Sequence, residues 1–461
     1  MLAKLKKKYI GDWDFYQKYL LLAIPMILQN AITNLVSFLD NIMVGQLGTE
    51  QMSGVAIVNQ LIFVYNLAIF GAVSAASIFG AQYFGKGNHK GHMYSFRFKL
   101  YATLLVTGGA ILLFLTKGSA LISLYLTDTV GNGATDLALQ YGLEYLAIMM
   151  VGLIPFAVNQ SYATNIKETG QTFIPMLASF VAVGTNAILD YLMIFGIGPF
   201  PELGVQGAAL ATVIARYIEA LIVVIWAHIH RGKNRYLEGA YTGFGIPLAE
   251  LKAILIKGFP LMMNEVLWAA GMTTVTQCYS VRGLDVVAGL NIASTITNLF
   301  NIVYLQLGSC ISIVVGQYLG AGKLEDAKDA DNKMIVFSVF CCVIMAALMF
   351  VVGGFFPGIY NTTEEIRELA TSFIAVSAII MPFCAFSHAS YFTLRSGGKT
   401  VVTFLFDSVF TWVIVVPAAY LLAHFTGLGI VGIYFLVQGT ELIKVIIGYL
   451  MVKSNVWVVQ M

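Results

Sequence analysis

The sequence predicts an all-α integral membrane protein with twelve transmembrane helices, arranged as two six-helix lobes related by a parallel pseudo-two-fold repeat. Three observations support this fold class: the composition, the number of long apolar stretches and an internal repeat. Of the 461 residues, 58% are hydrophobic and only 11% are charged, whereas soluble domains contain about 25% charged residues. Most of the chain is therefore expected to be surrounded by lipid.

The charge balance and the motifs exclude several classes of function. The chain has 26 basic and 24 acidic residues, and so even a balance argues against a nucleic-acid-binding surface. The sequence contains no phosphate-binding P-loop motif, and its five cysteines lack metal-ligand spacing. We therefore expect neither an enzyme nor a protein with a cofactor, a structural metal or a nucleic-acid partner.

Each of twelve apolar stretches is long enough to cross a bilayer, which requires about 20 residues of helix. They cover residues 17–43, 53–80, 95–116, 136–158, 172–196, 206–229, 250–280, 286–316, 333–354, 366–394, 400–424 and 430–452. Alternate connections hold 22 of the 26 basic residues, Lys99 and Lys444 among them. Because basic residues mark cytoplasmic loops, we expect a multi-pass protein of the plasma membrane with both termini in the cytoplasm.

The two halves of the chain resemble each other at a constant offset of 235 residues. Pro25 corresponds to Pro260, and Ser77–Gly87 corresponds to Ser312–Gly322, each ending in Gln-Tyr-x-Gly-x-Gly. Six spans per repeat give both halves the same orientation, an arrangement found in transporters. The predicted domains are an N-lobe at 1–230, a cytoplasmic linker at 231–249 and a C-lobe at 250–461.

Four polar residues of the first half lie at one depth in the predicted membrane. Asp40, Asp190 and Thr212 are each about 8–11 Å below the outer surface, and Asn186 is one helical turn from Asp190. Two carboxylates, an amide and a hydroxyl are suitable oxygen ligands for a small hard cation such as Na⁺. They are equally suited to holding a proton, since burial disfavours a charged carboxylate. Alternatively, each Asp caps a helix or contacts lipid headgroups.

Polar side chains also form stripes along spans 1 and 8, including Asn34 and Asn291. Spacings of three and four residues place most members of each stripe on one helix face. In lipid, such a stripe either joins helices or lines a hydrated cavity. Both interpretations remain open, and the second makes Asn34 and Asn291 candidate substrate contacts.

The second half contains a separate set of candidate residues. Glu265 lies about 12 Å from the cytoplasmic end of span 7, and His388 lies at a similar depth in span 10. Together they would form a site that exchanges protons or contacts substrate, although a buried His often serves only as a hydrogen-bonding residue. Trp268, one turn after Glu265, is suited to stacking on an organic cation or to packing. Pro25 interrupts the bonding of helix 1 and is either a hinge or a static kink.

Taken together, these residues resemble the multidrug and toxic compound extrusion (MATE) family. The resemblance covers nearly the whole chain, and the combination of motifs is specific although each motif is weak. The residues that carry it are Pro25, Leu39-Asp40, Val44–Gly48, Gln82–Gly87, Asn186, Asp190, Ile194–Gly196, Pro201–Thr212, Pro260, Glu265, Gln317–Gly322 and Leu394-Arg395.

The resemblance implies two six-helix lobes that form a V and open alternately inward and outward. Members export organic, often cationic and hydrophobic compounds, coupled to inward flow of Na⁺ or H⁺. The family has a cation site in its N-lobe, and the positions of this chain that match it are Asp40, Asn186, Asp190 and Thr212. Bending of helix 1 near its proline accompanies release, a position that Pro25 matches. The expected partners are small organic, cationic amphiphilic substrates and the lipid bilayer, and the expected functional unit is a monomer.

One departure from the family pattern concerns the second half. NorM-type members pair the helix-7 Glu with an Asp in helix 10, but Val376–Phe392 contains no acid, and His388 is its only residue with an ordinary pKa near neutral pH. This favours coupling at the N-lobe. Two alternatives to an efflux antiporter remain open: a flippase for a lipid-linked precursor, and a receptor or channel without transport. The flippase is disfavoured because Arg216 is the only basic residue identified inside a span.

Overall fold

The structure, a computed structural model, describes residues 8–126, 134–243 and 245–460, without the side chains of residues 36–38 and 134. In this part of the chain the secondary structure is helical and contains no strand. Twelve helices are long and apolar enough to cross a membrane, which confirms the predicted fold class. The predicted cytoplasmic position of the termini concerns residues that lie outside the described ranges.

Eleven of these twelve helices are longer than the predicted spans because they continue past the apolar stretch, whereas the helix Phe173–Ile194 is shorter than its predicted span, 172–196. The twelve helices are α1 (Trp13–Gly45), α2 (Thr49–Gly85), α3 (His89–Ser123), α4 (Ala134–Glu168), α5 (Phe173–Ile194), α6 (Gly204–Ile229), α7 (Leu248–Ser280), α8 (Leu284–Gly320), α9 (Leu324–Gly353), α10 (Glu364–Ser396), α11 (Thr400–Phe425) and α12 (Ile430–Lys453).

Large apolar side chains cover much of the outer surface of these helices. Leu105 is 80% exposed, Ile188 63% and Val413 66%, all in the middle of spans. In water such a surface would be unfavourable, whereas in lipid it is matched by hydrocarbon chains. The exposed residues therefore mark the faces that contact the bilayer.

The repeated Gln-Tyr-x-Gly-x-Gly sequence ends α2 and α8 with the same backbone geometry. Gly87 and Gly322 both have a positive φ, of 71° and 75°. Behind them, the amide of Asn88 donates to Tyr83 O at 2.9 Å, and that of Lys323 donates to Tyr318 O at 3.0 Å. This is a Schellman-type helix end, which requires a glycine in the left-handed region.

The inner glycines of the same motif allow the two repeats to touch. A Cβ atom added at Gly85 would lie 2.0 Å from Gln317 O, and one added at Gly320 would lie 1.9 Å from Gln82 O. The two contacts are equivalent under the offset of 235 residues. Only glycine permits backbones to approach this closely, so the motif encodes a pseudo-symmetric crossing of α2 and α8.

The packed chain divides into two compact units. The N-terminal unit comprises Leu28–Gly80 and His89–Lys252. The C-terminal unit comprises a segment ending at Ile27, Ala81–Asn88 and the chain from Ala253 onward. The start of α1 and the end of α2 thus pack with the second half of the sequence, a division that sequence periodicity does not contain.

Residues of the predicted linker pack with the N-terminal unit. Arg97 of α3 donates to the carbonyl oxygens of Gly239, Ala240 and Gly245 at 2.6, 2.9 and 2.7 Å. A guanidinium has a rigid set of donors that suits several acceptors at once. Arg97 therefore fastens this segment to α3.

Candidate functional site

The structure brings together the four polar residues that the sequence placed at one depth in the first half. Asp40 of α1 and Asp190 of α5 contact each other through their carboxyl groups. Asn186 lies beside Asp190, and its Nδ2 donates to Thr212 Oγ1 of α6 at 3.4 Å. We call these four residues the carboxyl-pair site. It lies entirely within the N-terminal unit.

Two members of the carboxyl-pair site are buried and two are half-buried. Asp190 is 1% exposed and Asn186 6%, whereas Asp40 and Thr212 are half-buried. Among the described residues, none donates a well-formed hydrogen bond to Asp40 Oδ1 or to either carboxylate oxygen of Asp190. Two carboxylates in contact, one buried and one half-buried, repel each other unless one is protonated or a cation lies between them. The arrangement is therefore suited to holding one monovalent positive charge.

The donor set favours a proton or a hard monovalent cation over a transition metal. All its side-chain ligands are oxygen atoms or an amide, and the site has two carboxylates. In the described ranges, no group of three or more His, Cys, Asp or Glu residues could hold a metal ion. Carboxylate, carbonyl and hydroxyl oxygens suit hard cations, whereas transition metals favour imidazole and thiolate ligands.

Next to the carboxyl-pair site lies a tyrosine that sequence reasoning missed. Tyr145 of α4 lies within electrostatic range of both Asp40 and Asp190, and its hydroxyl donates to Asn59 Oδ1 at 3.4 Å. Tyr145 is also within electrostatic range of Arg216. A tyrosine in the middle of a predicted span is the one sequence signal that would have identified it, because its hydroxyl needs a polar partner there.

A polar seam continues along α6 from Thr212. Arg216 and Glu219 follow at spacings of four and three residues, which places them on the same helix face. Ser179 Oγ donates to Glu219 Oε1 at 2.5 Å and accepts a bond from Gln29 Nε2 at 2.7 Å. The seam therefore joins α1, α5 and α6. Glu219 was missed in the sequence, although its spacing from Thr212 was visible there.

Pro25 is buried within α1, and the helix continues through it. The division between the two compact units falls after Ile27, within one helical turn of Pro25. Because proline removes one helical hydrogen bond, the weakest part of α1 coincides with the point where its packing partners change. The hinge role of Pro25 remains a prediction.

Asn34 and Asn291 lie on exposed faces of α1 and α8. Asn34 Nδ2 donates to Asn30 O of its own helix at 3.0 Å, and Asn291 O accepts bonds from Ser294 and Thr295. In the described hydrogen bonds, neither side chain joins two helices. Both are available to a hydrated surface, and their role as substrate contacts remains a prediction.

In the C-terminal unit, Glu265 and His388 both lie near a third residue, Asp407. Glu265 is within electrostatic range of Arg395 and Asp407. The imidazole Nδ1 of His388 lies 3.0 Å from Cys384 O, and the ring is within electrostatic range of Asp407 and Lys444. In the part of the chain that the structure describes, no contact joins Glu265 directly to His388. Trp268 is 39% exposed on α7.

Asp407 and Lys444 form a buried ion pair that the sequence analysis did not identify. Lys444 Nζ of α12 lies 2.6 Å from Asp407 Oδ1 of α11. From the sequence, Lys444 was grouped with the basic residues of the cytoplasmic side, and only Arg216 was considered inside a span. The structure places Lys444 within α12, where it is buried against α11. The acid that α10 lacks is found on α11 instead, where Asp407 lies seven residues after Thr400.

Lys99 is a second basic residue that was assigned to a cytoplasmic loop and proves to be buried. Its Nζ lies 2.5 Å from Glu168 Oε1, and His92 Nε2 lies 3.3 Å from Glu168 Oε2. Charge counting along the sequence cannot separate a paired, buried Lys from a solvated one. The excess of loop cations is correspondingly smaller than the sequence suggested.

Comparison with known proteins relates the chain to one family over most of its length. The MatE family model matches residues 25–192 and 260–421. A probable multidrug resistance protein NorM from Thermotoga maritima is 24% identical over 413 residues, covering 89% of this chain and 86% of that protein. A probable multidrug resistance protein YoeA from Bacillus subtilis is 22% identical over 443 residues, covering 94% and 92%.

Solved structures show the same fold. A multidrug resistance MATE family transporter of the MOP superfamily, in an outward-facing conformation, superposes with a TM-score of 0.85 at 20% identity. A MOP superfamily transporter from Pyrococcus furiosus gives the same score and identity. In both, 96% of this chain and 96% of the other are covered.

Two lines of comparison thus agree with the architecture described above. The match of the family model includes both halves of the repeat, and the solved structures share the helical fold over nearly the full length. Members of this family are membrane transporters and not enzymes, as the sequence predicted. The chain belongs to the multidrug and toxic compound extrusion (MATE) family of multi-pass membrane transporters.

Proposed function

We propose that this chain is a secondary active efflux antiporter for organic, mainly cationic amphiphilic compounds, coupled to inward flow of H⁺ or Na⁺. The observation that carries the proposal is the contact between the Asp40 and Asp190 carboxyl groups. The relatives named multidrug resistance proteins support the substrate class. We further propose that it acts as a monomer in the plasma membrane, with both termini in the cytoplasm.

Coupling follows from the electrostatics of the carboxyl-pair site. Without a bound cation or proton, the two carboxylates of α1 and α5 repel each other. A bound proton or Na⁺ removes that repulsion and lets α1 approach α5. Because α1 contains Pro25 at the point where its packing changes, its shape is free to respond. Substrate and coupling ion then favour different shapes of α1, which is the thermodynamic requirement for exchange.

The test measures export in proteoliposomes with a pH gradient and a Na⁺ gradient imposed separately. We expect one gradient to drive uptake of a fluorescent organic cation, and Asp40→Asn and Asp190→Asn to abolish it. Asp136→Asn, an exposed acid in the first turn of α4, is the matched control. Unchanged transport in both carboxyl-pair variants at equal protein levels would show that coupling occurs elsewhere.

The same assay separates the alternatives. A receptor or channel would not move dye against its gradient. A flippase for a lipid-linked precursor would need unpaired basic residues to receive a phosphate, and the buried Lys444 is instead neutralised by Asp407. Translocation of an anionic lipid without dye export would reverse our choice.

A further inference from the structure

A lysine ammonium of the C-terminal unit is enclosed by groups that recognise cations. Lys444 Nζ contacts Asp407 Oδ1 at 2.6 Å, with side-chain exposures of 9% and 15%. The other carboxylate oxygen, Oδ2, accepts from Asn264 Nδ2 at 3.0 Å. Asp407 thus has one oxygen engaged by a cation and the other by a neutral amide that holds the carboxylate in place.

Two aromatic rings complete the surroundings of the ammonium group. Nζ lies 5.4 Å from the ring centroid of Phe406 and 6.0 Å from that of Phe410. Aromatic faces attract cations through the ring quadrupole, and a carboxylate adds a charge-assisted hydrogen bond that only an ammonium group with N–H donors can form. We call Asp407, Asn264, Phe406 and Phe410 the ammonium cage.

The backbone of α11 is specialised where it supplies this cage. Leu405–Val409 and Thr411–Val415 are π-helical turns, and the Phe410 amide donates to Leu405 O. Such turns are rare and frequently mark functional sites. The Ser408 amide and hydroxyl both donate to Asn264 Oδ1, at 3.2 and 2.8 Å. Asn264 therefore stabilises both the irregular turn and the carboxylate that it presents.

The surroundings hold more acid than base. Lys444 is within electrostatic range of Glu441 as well as Asp407, and Glu265 is within electrostatic range of Asp407 and Arg395. Glu441 Oε1 is buried, and the described residues provide no hydrogen-bond partner for it. Without the Lys444 charge, Asp407 and Glu441 would be left beside a neutral side chain. The site is thus organised around one positive charge at the Lys444 Nζ position.

We propose that the C-terminal unit has a cation site of its own, the ammonium cage, and that Lys444 is the tethered cation that fills it. The ligand class of the cage is a monovalent ammonium ion, recognised by one carboxylate and two aromatic faces. With Lys444 in place, the C-terminal unit takes no cation from solution at Asp407. This goes beyond the transport proposal, and its test requires no transport measurement.

The test removes the tethered cation and supplies a free one. The full-length Lys444→Ala variant is purified in detergent, and its unfolding midpoint is measured in ethylammonium, sodium and choline chlorides at equal ionic strength. Ethylammonium is expected to raise the midpoint of Lys444→Ala saturably, by about 2 °C or more. Sodium and choline are expected to have no such effect, because neither combines N–H donors with a small apolar tail.

Three controls define the outcome. The wild type and Lys453→Ala, which removes an exposed lysine at the end of the same helix, should show no ethylammonium-specific rise. Lys444→Ala combined with Asp407→Asn should lose the rise, because the carboxylate is gone. An equal rise in the double variant, an equal response to sodium, or no response in Lys444→Ala would overturn the proposal.

A second variant covers the case in which Lys444→Ala does not fold. In Lys444→Asn, the new side chain is shorter than that of lysine and can form hydrogen bonds. This variant is tested with ammonium chloride against sodium chloride. Recovery of either variant as folded protein only from membranes solubilised with the ammonium salt supports the cage. Recovery that is independent of the salt, without a shift in midpoint, contradicts it.

Discussion

The two units contain half-buried carboxylates in opposite electrostatic settings. In the N-terminal unit, Asp40 faces another acid, Asp190. In the C-terminal unit, Asp407 faces a base, Lys444, at 2.6 Å. An acid that faces an acid needs a charge from outside the chain, whereas an acid that faces a base has its counter-charge already. Under the two proposals above, the N-terminal unit has an exchangeable cation site and the C-terminal unit a permanently filled one.

The largest expected contrast is between neutral substitutions in the two sites. Lys444→Met should lower the free energy of unfolding by about 3–5 kcal/mol, because it leaves the buried Asp407 carboxylate without a counter-charge. Asp190→Asn should leave the stability unchanged or increased, because it removes a repulsion. Thermal unfolding of the purified variants, followed by circular dichroism, measures both.

The matched control for this contrast is Lys444→Met combined with Asp407→Asn, which restores charge balance and should recover most of the loss. Equal destabilisation by Lys444→Met and Asp190→Asn would remove the distinction between the sites.

A second experiment gives the N-terminal unit the pairing of the C-terminal unit. Asp190→Lys places an ammonium group opposite Asp40. We expect a folded protein whose ion-driven export falls to the level of empty liposomes, since a tethered charge cannot be exchanged. Asp136→Lys, at an exposed position, should transport as the wild type does. Retained gradient-driven export in Asp190→Lys would mean that the carboxyl-pair site is not where coupling occurs.

The third expected effect is stabilisation by the coupling ion. A ligand at 100 times its Kd stabilises a folded protein by about 2.7 kcal/mol. We therefore expect the unfolding midpoint of the wild type to rise when Na⁺ is added, or when the pH is lowered if the ion is a proton. Asp40→Asn should lose this rise and Asp407→Asn should keep it. The reverse pattern would place the exchangeable site in the C-terminal unit.

The smallest expected effect concerns the polar seam beside the carboxyl-pair site. Ser179→Ala removes the hydroxyl that joins Gln29 to Glu219, and the loss of these bonds should cost about 1–3 kcal/mol. Ser280→Ala, at an exposed position with only a bond to its own helix, should cost less than about 0.5 kcal/mol. A shift in midpoint no larger than that of Ser280→Ala would show that the seam does not support the N-terminal unit.

Sequence reasoning identified the four residues that the structure brings together as the carboxyl-pair site, whereas it did not identify the ammonium cage. Asp40, Asn186, Asp190 and Thr212 were found because depth along a helix follows directly from residue number. Lys444 was missed because a basic residue nine positions before a helix end was counted as a loop cation, and without Lys444 nothing in the sequence gave Asp407 a partner. Only the packing of α11 against α12 distinguishes a buried lysine from a solvated one.

Hydrophobicity and spacing along the sequence by themselves determined the twelve helices, the parallel repeat and the glycine-rich helix ends, because lipid leaves the backbone few alternatives to a helix. Tertiary structure alone decided which charges meet. The contacts between Asp40 and Asp190 and between Asp407 and Lys444 each join helices that sequence periodicity cannot pair. Local patterns encode which face of a helix is polar, but the partner of a buried charge depends on how the helices pack.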